Sequence, residues 1–86
     1  MRIDYHRDFK KEFRKLNPKQ QLKFSERLDL FLNHQTHPLL RLHELSGEFT
    51  GNFSISIAGD LRAHFKYASQ EHIILTRIGT HAQLHK

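Results

Sequence analysis

The sequence predicts an α+β fold of order β-α-α-β-β-β, with a helical hairpin packed on one face of a mainly antiparallel sheet. Three observations carry this. In the first third of the chain, apolar residues recur every three or four positions, as on the buried stripe of a helix. From Asn52 they recur every second position, as in strands with one buried face. An Asn17-Pro18 step divides the helical part, ending one helix and starting the next.

In order, Met1 to Asp4 reads as a short strand, and Asp4 can cap the following helix by accepting the free N–H groups of its first turn. Tyr5, Phe9, Phe13 and Leu16 make the stripe of that helix. Arg7, Lys10, Lys11 and Arg14 lie off the stripe and give it a basic outer face. Asn17 caps the second helix, and Pro18 suits its first position, where a missing N–H needs no partner. This helix runs to about Asn33, with Phe24, Leu28, Phe31 and Leu32 on one face, Leu22 at the margin and Leu30 outside it. A connection this short folds the two into an antiparallel hairpin.

His34 to Gly51 reads as a loop punctuated by Pro38, Gly47 and Gly51, anchored by Leu39, Leu40, Leu42 and Leu45. Long ordered loops in compact domains are often functional. Asn52 to Ile57 is a strand with Phe53, Ile55 and Ile57 inward, and Ala58-Gly59-Asp60 turns into the next. There Leu61, Ala63, Phe65 and Tyr67 face inward, while Arg62, His64 and Lys66 face out. A polar link, Ala68 to Glu71, leads to the return strand His72 to Ile78. Gly79 ends it, and Thr80 to His85 follow as a short polar tail. The expected core is Phe9, Phe13, Phe24, Leu28, Phe31, Phe53, Ile55, Phe65 and Leu75. Without repeats, low-complexity segments or a boundary, residues 1–86 read as one domain.

Composition narrows the function classes. The chain has no cysteine, which excludes a disulfide scaffold, a thiolate metal site and a cysteine nucleophile. No stretch approaches a transmembrane helix, and the charged start MRIDYHRDFKKEF is unlike a signal peptide, so a cytoplasmic protein with no membrane partner is expected. The net charge is +5, and the excess is local: eight Lys or Arg residues lie from Arg7 to Arg27 against the three acids Asp8, Glu12 and Glu26. A nucleic acid or an acidic protein suits such a surface. Surface charge kept for solubility is the plainer account, but the local excess favours a polyanion.

Eight histidines raise the question of a metal. His34, His37 and His43, with Glu44 and Glu48, match no zinc spacing, and His81 and His85 lack the H-E-x-x-H context, so no metal or other cofactor is expected. Gly47 and Gly51 are not followed by the G-K-[ST] of a phosphate loop, and Ser54 and Ser56 sit inside a strand, where a serine nucleophile is out of place. Metal-free chemistry on a phosphodiester remains. RNA carries its own nucleophile, the 2′-hydroxyl; the protein needs a base, an acid and a cation. Histidines and an arginine fork supply all three. The alternative is that Arg62, His64 and Lys66 are only the solvated side of a hairpin.

The element order, the run L-H-E-L-S-G-E-F-T-G-N-F-S-I-S-I-A-G-D-L-R-A-H-F and the ending I-G-T-H-A-Q-L-H together resemble the RelE/ParE superfamily of toxins, and most of all its YafQ-like branch of mRNA interferases. The resemblance spans nearly the whole chain and is sharpest from Leu42 to His85. It implies a cytoplasmic toxin, encoded beside an antitoxin, that cuts mRNA in the ribosomal A site without metal. It also implies roles: His81 of Gly79-Thr80-His81 as the catalytic histidine, His43 as its partner, Arg62 as phosphate clamp, and Asp60 orienting or tuning a histidine. His64, His85, Lys10, Lys11 and Arg14 are the expected RNA contacts, ribosomal RNA included. Three positions depart from the pattern: Ser56 stands for a histidine, Leu61 for a tryptophan, and His85 for a closing tyrosine or phenylalanine. The resemblance leaves two other readings open: a ParE-like gyrase inhibitor, since the fold is shared across activities, and a degenerate relative that only binds its antitoxin.

Overall fold

A computed structural model describes residues 1–85. The elements are β1 (Arg2–Tyr5), α1 (Arg7–Arg14), α2 (Pro18–Asn33), β2 (His43–Glu44), β3 (Phe53–Ala58), β4 (Leu61–Ser69), β5 (His72–Thr80) and α3 (His81–Leu84), with 3₁₀ turns at Pro38–Leu40 and Gly47–Phe49. One five-stranded sheet has the order β1-β5-β4-β3-β2. β1 lies parallel to β5, and the other pairs are antiparallel. The α+β class, the helical hairpin and the meander are as expected. β2 and α3 are additions, cut from what reads in sequence as loop and tail.

Local chemistry accounts for the helix boundaries. Asn17 and Gln20 form a reciprocal capping box: the Gln20 N–H donates to Asn17 Oδ1 at 2.8 Å, and the Asn17 N–H donates to Gln20 Oε1 at 3.1 Å. The first helix departs from expectation. β1 continues to Tyr5, paired with Leu75, so Asp4 lies within the ladder and does not cap. His6 caps instead, its Nδ1 accepting the Asp8 N–H at 3.0 Å. Asp4 is held by His72 Nε2 at 2.7 Å and Arg2 Nε at 3.2 Å.

The core lies between the hairpin and one face of the sheet. Phe9, Phe24, Phe31, Ile55, Phe65 and Leu75 are buried in it, with Phe13, Leu28 and Phe53 packed against it half-buried. Phe31 meets Phe65 edge-on at 5.1 Å, a geometry aromatic pairs favour. On α2 the buried line is centred on Phe24, Arg27 and Phe31. At 100° per residue this brings Leu30 to the core edge and carries Leu32 out to 41% exposure and Leu22 to 62%. Arg27, counted in the basic run, donates its Nε to the Ile57 carbonyl at 3.0 Å. Leu40 is buried and Leu42 packs on the core, while Leu39 is exposed.

Two irregularities aim the site. Opposite β4, β5 pairs Leu75 with Phe65 and Arg77 with His64, so Thr76 is an extra residue. Beyond Tyr5, β1 no longer covers the edge of β5. There Glu12 of α1 accepts the Ile78 N–H at 3.2 Å, and two of its contacts to Arg77 measure 2.9 Å from Nε and 2.7 Å from Nη2.

Candidate active site

Directly paired strand residues share a face. Ile55, Ala63 and Ile78 pair in one row towards the helices. On the opposite face a polar row crosses four strands: His43 on β2, Ser54 on β3, His64 on β4 and Arg77 on β5. The next row is Ser56, Arg62 and Gly79. Register alone therefore brings His43, Arg62 and His64 to one surface.

α3 adds two more histidines. Thr80 and Gln83 form a second capping box, with the Thr80 N–H on Gln83 Oε1 at 2.8 Å and the Gln83 N–H on Thr80 Oγ1 at 3.3 Å. The turn sits on Gly79, where a Cβ would lie 2.9 Å from Gln83 Oε1, so the absent side chain is what lets α3 close down. Leu84 is buried beneath it. His81 and His85 then stand one turn apart with ring centroids 4.4 Å from each other. His85 lies 5.9 Å from His64, and Phe49, from the 3₁₀ turn, stands edge-on to His85 at 5.4 Å and 6.3 Å from His64.

The histidines differ in electrostatic setting. His64, read as the outer side of a hairpin, is only 3% exposed. Burial lowers its pKa from 6.5 to about 4, helped by the charges of His85, Arg77 and His43 and opposed by Glu12. It is therefore uncharged near neutral pH. Among the described residues neither its Nε2 nor the buried Ser54 Oγ has a hydrogen-bond partner. His43 is exposed, and its Nδ1 lies 2.8 Å from the Arg41 carbonyl. A carbonyl only accepts, so Nδ1 carries the proton and neutral His43 keeps its Nε2 lone pair.

Arg62 has a buried Nε, 4.0 Å from the Asp60 carboxylate at the exposed β3–β4 turn. Among the described residues Asp60 makes no hydrogen bond to a histidine; its near neighbour is the arginine. Lys10, Lys11 and Arg14 are divided. Lys10 and Arg14 flank an apolar cleft of about 300 Å³ lined by Tyr5, Phe9 and Phe13, whereas Lys11 lies with Asp8, Glu12, Lys15 and Arg77. Among the described residues no three metal-ligating side chains are gathered as a metal site.

Phe49, Glu12 and Arg77 have no site role in the sequence reading, which weighs Ser54 only as a nucleophile. Two left a signal. Glu12 is three residues after Phe9 and four before Leu16, a carboxylate on the apolar stripe. The inward residues Ile73, Leu75 and Ile78 change parity, which marks the bulge beside Arg77. Glu12 holds the Arg77 guanidinium more firmly protonated than usual, chiefly through their hydrogen bonds.

With this arrangement in place, comparison with known families is decisive. The family model of YafQ, the bacterial toxin of type II toxin–antitoxin systems, matches residues 1–86. The chain belongs to the YafQ toxin family. Solved YafQ structures share the fold. YafQ from E. coli strain BL21(DE3) superposes with a TM-score of 0.84 at 20% identity, covering 100% of both chains. YafQ in the E. coli DinJ–YafQ toxin–antitoxin complex gives 0.80 at 20% identity over 98% of this chain and 96% of that one. The YoeB/ParE toxin from Agrobacterium tumefaciens gives 0.77 at 13% identity over 94% and 99%. Comparison with curated proteins found no match.

Proposed function

We propose that this YafQ-family chain is a metal-independent endoribonuclease that cuts mRNA in the ribosomal A site of the cytoplasm and is neutralised by its antitoxin. The observation that carries the reading is the gathering of His43, Arg62, His64, His81 and His85 on the sheet face the helical hairpin leaves open.

His43 Nε2 takes the proton of the 2′-hydroxyl. The 2′-oxygen attacks phosphorus, and the bond from phosphorus to the 5′-oxygen breaks. His81 gives that oxygen its proton. The Arg62 guanidinium, with Asp60 beside it, meets the charge that builds on the phosphoryl oxygens. The products are a 2′,3′-cyclic phosphate and a 5′-hydroxyl. His85 lines the entrance, and Lys10, Lys11 and Arg14 hold ribosomal RNA through its phosphates.

The test is induced expression with mapping of mRNA 5′ ends. His81→Ala should lower cleavage by ~10²–10⁴, about 3–5 kcal/mol of barrier, and leave antitoxin binding intact, because in this reading the side chain is catalytic and not structural. Cleavage should survive chelators. Full cleavage by a folded His81→Ala protein would remove it from the mechanism. DinJ accompanies YafQ in the E. coli complex; here the partner should be acidic to complement the net +5, and its association should slow as salt is raised. An association rate indifferent to salt counts against this role for the charge.

A further inference from the structure

We propose that Phe49 is the movable cover of a nucleobase slot whose floor is Ser54 and His64. The proposal rests on the reading of the open face as an RNA site and adds to it a place where a base is read.

The loop that carries Phe49 is built as a unit. Gly47 and Gly51 bracket it at φ +67° and +95°, in the backbone region side chains avoid, and nothing lies within 4 Å of a Cβ at either. Its hydrogen bonds close on themselves: the Thr50 N–H and Oγ1 both donate to the Gly47 carbonyl, at 3.2 and 2.7 Å, and the Asn52 N–H donates to Phe49 at 3.0 Å. The Leu45 N–H on the Asn52 carbonyl, at 2.8 Å, shuts the base of the loop. The ring of Phe49 leans on the rings of His85 and His64. Moving the loop exchanges ring contacts and leaves these bonds whole.

Of the three buried side-chain polar atoms without a partner among the described residues, Arg62 Nε lies outside the floor and two, Ser54 Oγ and His64 Nε2, form it. They belong to directly paired residues on adjacent strands. Native proteins pair almost all such buried atoms, and exceptions call for an explanation. A ligand that satisfies both offers two hydrogen-bonding groups side by side and a flat apolar face for Phe49 and His85, which is the description of a nucleobase. A phosphate suits this floor poorly, because Ser54 and His64 are uncharged there and the cation beside them, Arg77, is already paired with Glu12. The guanidinium that suits a phosphate, Arg62, stands two residues along β4, about 7 Å away by strand rise. Base and phosphate of one nucleotide thus have separate seats.

The full chain would be titrated with the four ribonucleoside 5′-monophosphates, one at a time, and with inorganic phosphate, while NMR follows the ring signals of His64 and Phe49. One or two nucleotides should move both rings and bind more tightly than the rest. Phe49→Ala should weaken these about tenfold, the effect of losing one base–aromatic stack. Ser54→Ala should weaken the preferred nucleotide about fivefold, as for one neutral hydrogen bond, and narrow its lead over the others. Arg62→Ala should weaken all four alike and keep their ranking. Inorganic phosphate moving both rings as far as a nucleotide, four nucleotides binding equally to the native chain, or rings unmoved by any of them overturns the slot. Slot binding by a chain that leaves ribosomal mRNA uncut sinks the nuclease and keeps the slot; cleavage without nucleotide binding does the reverse.

Discussion

His64 should make this protein acid-sensitive well above the pH at which its carboxylates protonate. In the folded chain its pKa is about 4, against 6.5 ordinarily, chiefly because the ring is buried. A group whose folded pKa is depressed binds fewer protons folded than unfolded, so stability rises with pH across that window and is lost as pH falls from 6.5 towards 4. The full difference, reached below pH 4, is about 3 kcal/mol at 1.36 kcal/mol per unit. By pH 5 the unfolded histidine is almost wholly protonated and the folded one about a tenth, which makes the loss about 2 kcal/mol. With a urea slope of about 1–2 kcal/mol/M for so small a chain, the unfolding midpoint should fall by about 1–2 M between pH 7 and pH 5. The informative quantity is the difference from His64→Gln, whose midpoint should shift less by that amount. Equal shifts in the two proteins, or a His64 ring that titrates near 6.5 by NMR, would refute the argument.

Other perturbations probe the supports of the site. Glu12→Ala leaves the Ile78 N–H and the half-buried Arg77 guanidinium without their acceptor; after discounting for partial exposure it should cost about 2 kcal/mol in urea unfolding, and Glu12→Gln clearly less. The same Glu12→Ala change removes a charge that favours protonation of His64, so the His64 pKa should drop further, a shift visible by NMR. Gly79→Ala sets a Cβ against Gln83 Oε1 and competes with the Thr80–Gln83 box; it should cost about 1 kcal/mol, as for a lost cap, and lower mRNA cleavage by displacing His81 and His85. Wild-type cleavage by Gly79→Ala would show that the seat of α3 is not critical.

Much of the fold follows from sequence alone, because period and punctuation are local properties. The pair Phe9 and Phe13 on the first helix and the alternation Phe53, Ile55, Ile57 each need only one buried side, whereas Tyr5, read as the start of that helix stripe, belongs to β1 and Leu16 lies past the helix end. Asn17-Pro18 stops and starts helices by its own backbone chemistry. Motif and strand parity also name His43, Arg62, His64 and His81 as candidates, and strand register sets the first three on one face. What sequence could not decide is what depends on partners distant along the chain. Asp4 looks like a cap until a parallel ladder to β5 claims its residue and His72 its carboxylate. His64 alternates with inward residues as a solvated histidine would; a turn closing on Gly79 and a loop carrying Phe49 cover it and take away its charge. Periodicity reports which side of a strand a residue occupies. Burial, and with it protonation, is set by whatever long-range packing places over that side, and only the tertiary structure decides that.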